Sequence, residues 1–311
     1  MDRQTGFENR EAYRGALLSI GNFDGVHRGH QQIISTLVAA ARKIDRPAVV
    51  MTFDPHPIRI LAPDRAPPQL SSLDRKAELL EDLGVDCLIA MPTDRALLDL
   101  SPDDFFSRIV RDEIAAAGLV EGENFCFGRD RAGTVETLER LCGDAGISLT
   151  VVDHVALNGD VVSSSAIRKA VTEGRLSDAV SMLGHPYRLR GRVVAGASRG
   201  SEIGFPTANL ADVETLLPAD GVYAGVGRVG GARYAAAVHL GSNPTFGESE
   251  RKLEVHLIDY SGGPLYDQEI AVDLMDRVRG TVEFAGPDAL RAQLTADIAR
   301  VREIVTRQER E

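Results

Sequence analysis

The chain is expected to be an α/β protein in two parts, with an N-terminal parallel-sheet domain over residues 1–184 and a small antiparallel β-barrel followed by a C-terminal helix over residues 185–311. Three observations predict this. Short apolar runs alternate with helically spaced apolar residues as far as Leu183, the pattern of βα units joined by right-handed crossovers. Beyond Leu183 short strands succeed one another across Gly- and Pro-bearing turns, and only the last stretch is helical. A length of 311 residues is also long for one hydrophobic core and ample for two.

The elements follow in order. Residues 16–20 read as a buried strand, and Ile33, Ile34, Leu37, Val38 and Ala41 recur at helical spacing behind it. Strands are expected at 48–53, 85–90 and 148–152, and helices at 72–83, 102–117 and 133–145. Two prolines end the strand at 48–53 and should leave Asp54 and His56 in an extended loop. In the second part, strands are expected at 187–194, 221–229, 233–240, 253–258 and 269–274, before a helix over 287–305. The change of periodicity puts the domain boundary near Gly184, His185 and Pro186, and the halves are not repeats of each other.

Composition narrows the function. With 43% hydrophobic and 26% charged residues the chain is that of a soluble globular protein. A net charge of −11 argues against nonspecific nucleic-acid binding and against an anionic membrane surface. A polyphosphate ligand would therefore have to be met locally, by Arg, Lys, helix N-termini or a divalent cation. Cys87, Cys126 and Cys142 are odd in number, scattered and without CxxC spacing, so they read as reduced thiols of a cytoplasmic protein. No signal-peptide or membrane-spanning segment is expected, and no obligate protein partner.

The most informative segment runs from Gly21 to His30, GNFDGVHRGH, where the first strand turns into the first helix. Gly21, Gly25 and Gly29 let the backbone come close to a ligand there, and the helix's unpaired N–H groups favour an anion. His27 and His30, with Phe23 and Asp24 in the same turn, would present donors able to stabilise charge on a phosphate. A chance HxGH in a Gly-rich turn, or a histidine pair on a metal, also fits these residues; zinc fits less well, because no cysteine lies nearby. Further on, Val162-Ser163-Ser164-Ser165-Ala166-Ile167-Arg168-Lys169 sets hydroxyls before a short helix, with cations expected in its first turn, where the dipole disfavours them unless an anion is present. The loop Asn124-Phe125-Cys126-Phe127-Gly128 offers an aromatic pair under a Gly turn.

In the second half, the loop from Gly196 to Gly204 precedes Phe205-Pro206-Thr207-Ala208-Asn209. Thr207 and Asn209, two apart in an extended stretch, share a face and offer hard oxygen donors suited to Mg²⁺ with ATP oxygens completing the shell. The stretch 253–260 alternates, with Glu254 and His256 opposite Leu253, Val255 and Leu257; a solvated outer face is the ordinary account of such a pattern.

These motifs, in this order over nearly the whole chain, resemble the bacterial bifunctional riboflavin kinase/FAD synthetase family. The GNFDGVHRGH turn resembles the family's HxGH nucleotidyltransferase signature, in a Rossmann-like sheet domain, and residues 162–169 resemble its second signature. The stretch 204–209 resembles the riboflavin kinase GFPTAN motif, and residues 218–224, Asn243-Pro244-Thr245-Phe246-Gly247 and 276–284 also match. The resemblance implies two ATP-dependent reactions with Mg²⁺: riboflavin to FMN and ADP in the barrel, then FMN to FAD and pyrophosphate in the sheet domain. It makes His27, His30 and Arg168 charge stabilisers of the second reaction. Gly21, Phe23, Asp24, Gly25, Gly29 and Ser164 become its nucleotide-binding residues, and Asn124, Phe125 and Phe127 its flavin side. For the kinase it implies Gly196, Gly204, Thr207 and Asn209 around nucleotide and metal, and Glu254 as the base toward the ribityl 5′-hydroxyl. The chain departs from the family pattern at Ser198 and Ser201 of the kinase loop, which removes one phosphate-facing cation, and at Cys126, so a kinase with an adenylyltransferase domain impaired around Cys126 is the competing reading, and a non-enzymatic flavin carrier a more distant one.

Overall fold

In the computed structural model, which describes residues 1–196, Gly200, 204–242 and 251–308, the chain divides into two units, Met1–Ser163 and Ser164–Glu311. The first is built on six parallel strands: β1 (Asp2–Thr5), β2 (Leu17–Ile20), β3 (Ala48–Asp54), β4 (Cys87–Pro92), β5 (Gly118–Gly122) and β6 (Ser148–Val152). Their spatial order is β1-β4-β3-β2-β5-β6. From β2 the chain steps outward through β3 and β4, then crosses back to place β5 and β6 on the other side. Ligands of open α/β sheets bind outside the carboxyl ends of the strands at such a reversal.

Helices cover both faces of this sheet. They are α1 (Arg28–Lys43), α2 (Pro57–Leu61), α3 (Leu73–Asp82), α4 (Arg95–Leu98), α5 (Pro102–Phe105) and α6 (Val135–Ala145). Ile34, Leu37 and Ala41 of α1 and Leu80 of α3 pack with Ala48 and Val50 on one face, while Phe105, Leu138 and Leu141 pack with Val49 and Met51 on the other. This two-sided cover explains why the central strands are apolar without alternation.

The sequence expectation misses two strands of this sheet, β1 and β5. A helix was expected over 102–117, but α5 passes into a π-helical segment, Phe106–Glu113, and Ala115 takes a left-handed conformation (φ 49°) that starts the turn into β5. The apolar residues Ala116, Ala117, Leu119 and Val120 continue across that turn and conceal it in the sequence. β1 is a polar edge strand held by its register with β4, Asp2 opposite Cys87 to Thr5 opposite Ala90, and has no apolar alternation to read. His56 does not lie in an extended loop; it caps α2, its Nδ1 accepting from the Ile58 N–H at 3.2 Å.

A two-stranded hairpin, β7 (Ala156–Leu157) with β8 (Asp160–Val161), ends the first unit. The second begins with α7 (Ser164–Thr172) and α8 (Leu176–Leu183), followed by β9 (Tyr187–Val194), β10 (Ala208–Ala211), β11 (Gly221–Val229), β12 (Ala232–Gly241), β13 (Lys252–Leu257) and β14 (Glu269–Arg279). These six strands close an antiparallel barrel in the order β10-β13-β12-β11-β14-β9, with β9 pairing back to β10, which removes the exposed strand edges. The C-terminal helix Pro287–Gln308 lays Val301, Ile304 and Val305 against Ala224, Val226 and Met275 of the barrel wall. β14 continues five residues past the expected 269–274, through the polar Asp276, Arg277 and Arg279, because its backbone still pairs with β11 as far as Arg279 opposite Val222.

By contacts within the structure, the two compact units divide ahead of α7. The change of periodicity marks where helices give way to strands, but α7 and α8 pack with the barrel: the Ala219 N–H donates to the Val171 carbonyl, and α8 lies against β9 and β14. We propose that the piece able to fold alone is 164–311. Scanning calorimetry should show a cooperative transition for it and a melting temperature lower by on the order of 10 °C for 185–311, which leaves the barrel surface under Leu176 and Leu183 uncovered. Equal transitions for the two fragments would restore the boundary near Gly184.

Candidate active sites

The crevice of the first unit opens because β2 and β5 pair only at Leu17 with Gly118 and Leu18 with Leu119. Beyond them a side chain replaces the ladder: Glu121 Oε1 accepts the Ile20 N–H at 2.7 Å. Glu121 is 2% exposed, and burial raises its pKa well above the carboxyl range, against the Ile20 hydrogen bond. Its contribution to stability is therefore complete below the ordinary value of 4.5 and is lost as pH rises through the folded value. Glu121→Gln keeps an acceptor without a titrating proton, so its melting temperature should exceed that of the parent by a margin that widens from about pH 5 to about pH 8. A constant margin would mean that Glu121 is ionised in the fold.

The turn after β2 then builds the site. Phe23 and Val26, neither of them glycine, take left-handed φ of 44° and 39°, a costly conformation for such residues. Asp24 holds it: the carboxylate accepts the Leu70 N–H at 3.0 Å and the Ser71 N–H at 3.1 Å, while the Gly25 N–H donates to Ser71 Oγ. Asp24, expected beside the nucleotide, thus spends its carboxylate on the loop before α3. Phe23 is buried as well, its ring 5.2 Å from that of His30 and edge-on to it, so it backs the histidine.

His27 is the N-cap of α1, Nδ1 accepting the His30 N–H at 3.4 Å. The two imidazoles stack at 3.6 Å with 18° between their planes. Gly29 leaves room beneath them, since a Cβ there would lie 3.2 Å from the His27 ring and press on it. Burial, and then the charges of His27 and Lys76, hold the pKa of His30 well below the usual imidazole value, so it is neutral near pH 7. Its Nδ1 is buried and without a hydrogen-bond partner, as is Asn22 Oδ1. A bound anion at a helix N-terminus is received by unmatched donors, such as the His30 Nδ1 in its protonated tautomer.

Lys76 was not foreseen. Its Nζ donates to Thr52 Oγ1 at 3.1 Å, and Thr52 Oγ1 donates to the Asn22 carbonyl at 3.2 Å. Burial lowers its pKa, opposed by Asp24 and Asp54. The signal was a lysine on the apolar stripe Leu73, Lys76, Ala77, Leu80 of α3, where a cation needs a reason.

On the loop after β5, Asn124 is exposed and the rings of Phe125 and Phe127 stack at 5.5 Å. Phe127 belongs to the core, 6% exposed and against Phe105, so it supports Phe125 and does not offer a face of its own. Ser164 and Arg168, grouped by sequence with this site, both lie on α7 of the second unit. Ser164 is the first residue of that helix, which puts Arg168 and Lys169 beyond its first turn and weakens the dipole argument for an anion.

In the barrel, β10 and β13 bring Asn209 directly opposite Glu254. Leu210, Leu253 and Val255 face inward and are buried, so Asn209 and Glu254 share the outer face. Gly196 permits this, because a Cβ there would come within 2.1 Å of the Asn209 amide. The Phe205 N–H donates to the Gly200 carbonyl at 2.7 Å, and His256 Nδ1 sits 2.8 Å from the Pro206 carbonyl, anchoring the segment that carries exposed Thr207. Gly204 takes a φ of 89°. Ser198, Ser201 and the Asn243 to Gly247 motif lie outside the described residues. No helix among the described residues is long and apolar enough to cross a membrane.

Comparison with known proteins agrees with two sites in one chain. The FAD synthetase family model matches residues 9–166 and the riboflavin kinase model residues 183–305. The bifunctional riboflavin kinase/FMN adenylyltransferase of Escherichia coli K12 is 36% identical over 290 residues, covering 93% of this chain and 92% of that protein. Its namesake from Pseudomonas fluorescens is 34% identical, covering 94% of each chain. The Bacillus subtilis relative is 33% identical over 93% of this chain and 92% of its own. A solved Streptococcus pneumoniae structure titled a macrolide-efflux protein shares the fold at TM-score 0.84 and 30% identity, covering 96% of this chain and 98% of that one. With both families matched in order, and relatives of this kind aligned over nearly their whole length, the chain belongs to the bifunctional riboflavin kinase/FMN adenylyltransferase family.

Proposed function

We propose that the barrel phosphorylates riboflavin with ATP to give FMN and ADP, and that the N-terminal unit joins FMN to the AMP part of a second ATP, giving FAD and pyrophosphate. The presence of both family matches supports two activities over a lone kinase. The observation that carries the reading is that each unit holds its own polar constellation: stacked, buried histidines at a helix N-terminus in one, and a carboxyl beside an amide on the barrel face in the other.

In the N-terminal unit the FMN phosphate attacks the α-phosphorus of ATP and the bond to the pyrophosphate oxygen breaks, so no enzyme nucleophile is needed. His27 and neutral His30 serve as fixed donors to the charge that develops, with the amides of Gly21, Gly25 and Gly29 close to the nucleotide. Asn124 and Phe125 form the flavin side. In the barrel Glu254 takes the proton of the ribityl 5′-hydroxyl as its oxygen bonds to the γ-phosphorus.

A divalent cation fits the second site in one way. The neutral oxygens of Thr207 and Asn209, together with the phosphates of ATP, would hold it; hard oxygens of this kind suit Mg²⁺, which would neutralise phosphate charge. Thr207→Ala and Asn209→Ala should each raise the Mg²⁺ concentration for half-maximal FMN formation by roughly tenfold, about 1.4 kcal/mol, and leave FAD formation from supplied FMN near normal. An unshifted magnesium titration in both variants overturns the assignment. We place the enzyme in the cytoplasm, in keeping with the free thiols Cys87, Cys126 and Cys142. A chromatographic time course of riboflavin, FMN and FAD with MgATP tests the whole: FMN should rise and then pass to FAD, and accumulation of FMN alone would leave only a kinase.

A further inference from the structure

Glu254 has cross-strand neighbours on both sides. Asn209 of β10 stands opposite it on one side and His239 of β12 on the other. Residues directly opposite in antiparallel strands project to the same face, so the amide, the carboxyl and the imidazole form one row across three adjacent strands on the outside of the barrel. The neighbours of His239 in its own strand, Val238 and Leu240, point inward and are 1% exposed. His239 is therefore not filling the core. Its Nδ1 lies 3.3 Å from Glu254 Oε2, and the two side chains are only 23% and 20% exposed, so the contact is less screened by water than a pair on the open surface.

We infer that His239 is a positioning residue for the kinase reaction: its Nδ1–H donates to Glu254 Oε2 and fixes the plane in which that carboxylate meets the ribityl hydroxyl. The inference rests on the reading of Glu254 as the base. In the step itself the 5′-oxygen forms a bond to the γ-phosphorus, the bond from that phosphorus to the β,γ-bridging oxygen breaks, ADP leaves with the electron pair, and the proton goes to Glu254. His239 gains and loses no proton. What it supplies is orientation: a glutamate has three side-chain torsions, and a bond from an imidazole on the next strand removes freedom that would otherwise be lost at each encounter with substrate.

The chemistry makes the test specific. Asparagine places an amide N–H close to where Nδ1 stands, whereas alanine places nothing there. In the full-length enzyme, His239→Ala should lower kcat for FMN formation by roughly 10- to 100-fold with the KM for riboflavin changed less than about twofold, and His239→Asn should recover most of that loss. FAD formation from supplied FMN should stay at the parent level in both variants. The decisive measurement is a double-mutant cycle: in a Glu254→Gln background, where there is no base to orient, His239→Ala should cause no further loss. If the two losses multiply, or if His239→Asn is as slow as His239→Ala, the positioning role is wrong. Full kinase turnover in Glu254→Gln alone would remove the base itself, a failure distinct from either of these.

Discussion

His30→Ala should lower FAD formation from FMN and ATP by two to three orders of magnitude, about 10² to 10³, while riboflavin is still converted to FMN. His30 is held from three sides: by the stacked His27 ring, by the edge-on Phe23 ring and by its own backbone N–H, which donates to His27. A side chain fixed in this way pays no reorganisation when charge develops on a phosphate, and removing one such donor typically lowers the rate by about 10² to 10³. Because burial keeps His30 neutral, the loss is that of a dipolar N–H group, and it should persist at acid and alkaline pH alike. The check is a two-product assay on the full chain. A parallel fall in FMN would mean that the substitution unfolds the protein or that both reactions share the histidine.

Glu254→Gln gives the mirror image, with FMN formation crippled and FAD synthesis from supplied FMN intact. The amide matches the carboxylate in size and can still meet the His239 ring across the strand pair, but it cannot accept the proton of the hydroxyl. General-base catalysis is worth about 10² to 10⁴. Steady-state kinetics should place this loss in kcat. Unchanged turnover in Glu254→Gln would return the residue to a solvated strand face.

The family was legible in the sequence because its motifs lie on contiguous segments: a strand-to-helix turn with three glycines, and an alternating strand carrying a carboxylate. What could not be read was anything set by pairing between distant segments. Lys76 reaches Thr52, and Glu121 reaches Ile20, only through the sheet. His239 is separated from Glu254 by fourteen residues, eight of them outside the described structure, and only the register of β12 with β13 makes them neighbours. The burial of Phe127 was hidden in the same way: its sequence context marks a loop, while packing against Phe105 takes its ring inside. Periodicity found most strands of the barrel, but not the ownership of α7 and α8, because an amphipathic helix announces that it has an apolar face and not which partner will cover it.

The turn from Phe23 to Val26 does not hold its shape by its own residues. Two side-chain-bearing positions in left-handed conformation would relax if left alone, and what prevents this is a carboxylate tied to backbone amides some forty-six residues further along, at Leu70 and Ser71. The loop before α3 is in effect a remote clamp on the turn that carries Asp24. Changes in that loop would therefore be felt in the geometry of the turn ahead of α1, although the loop carries no signature motif of its own.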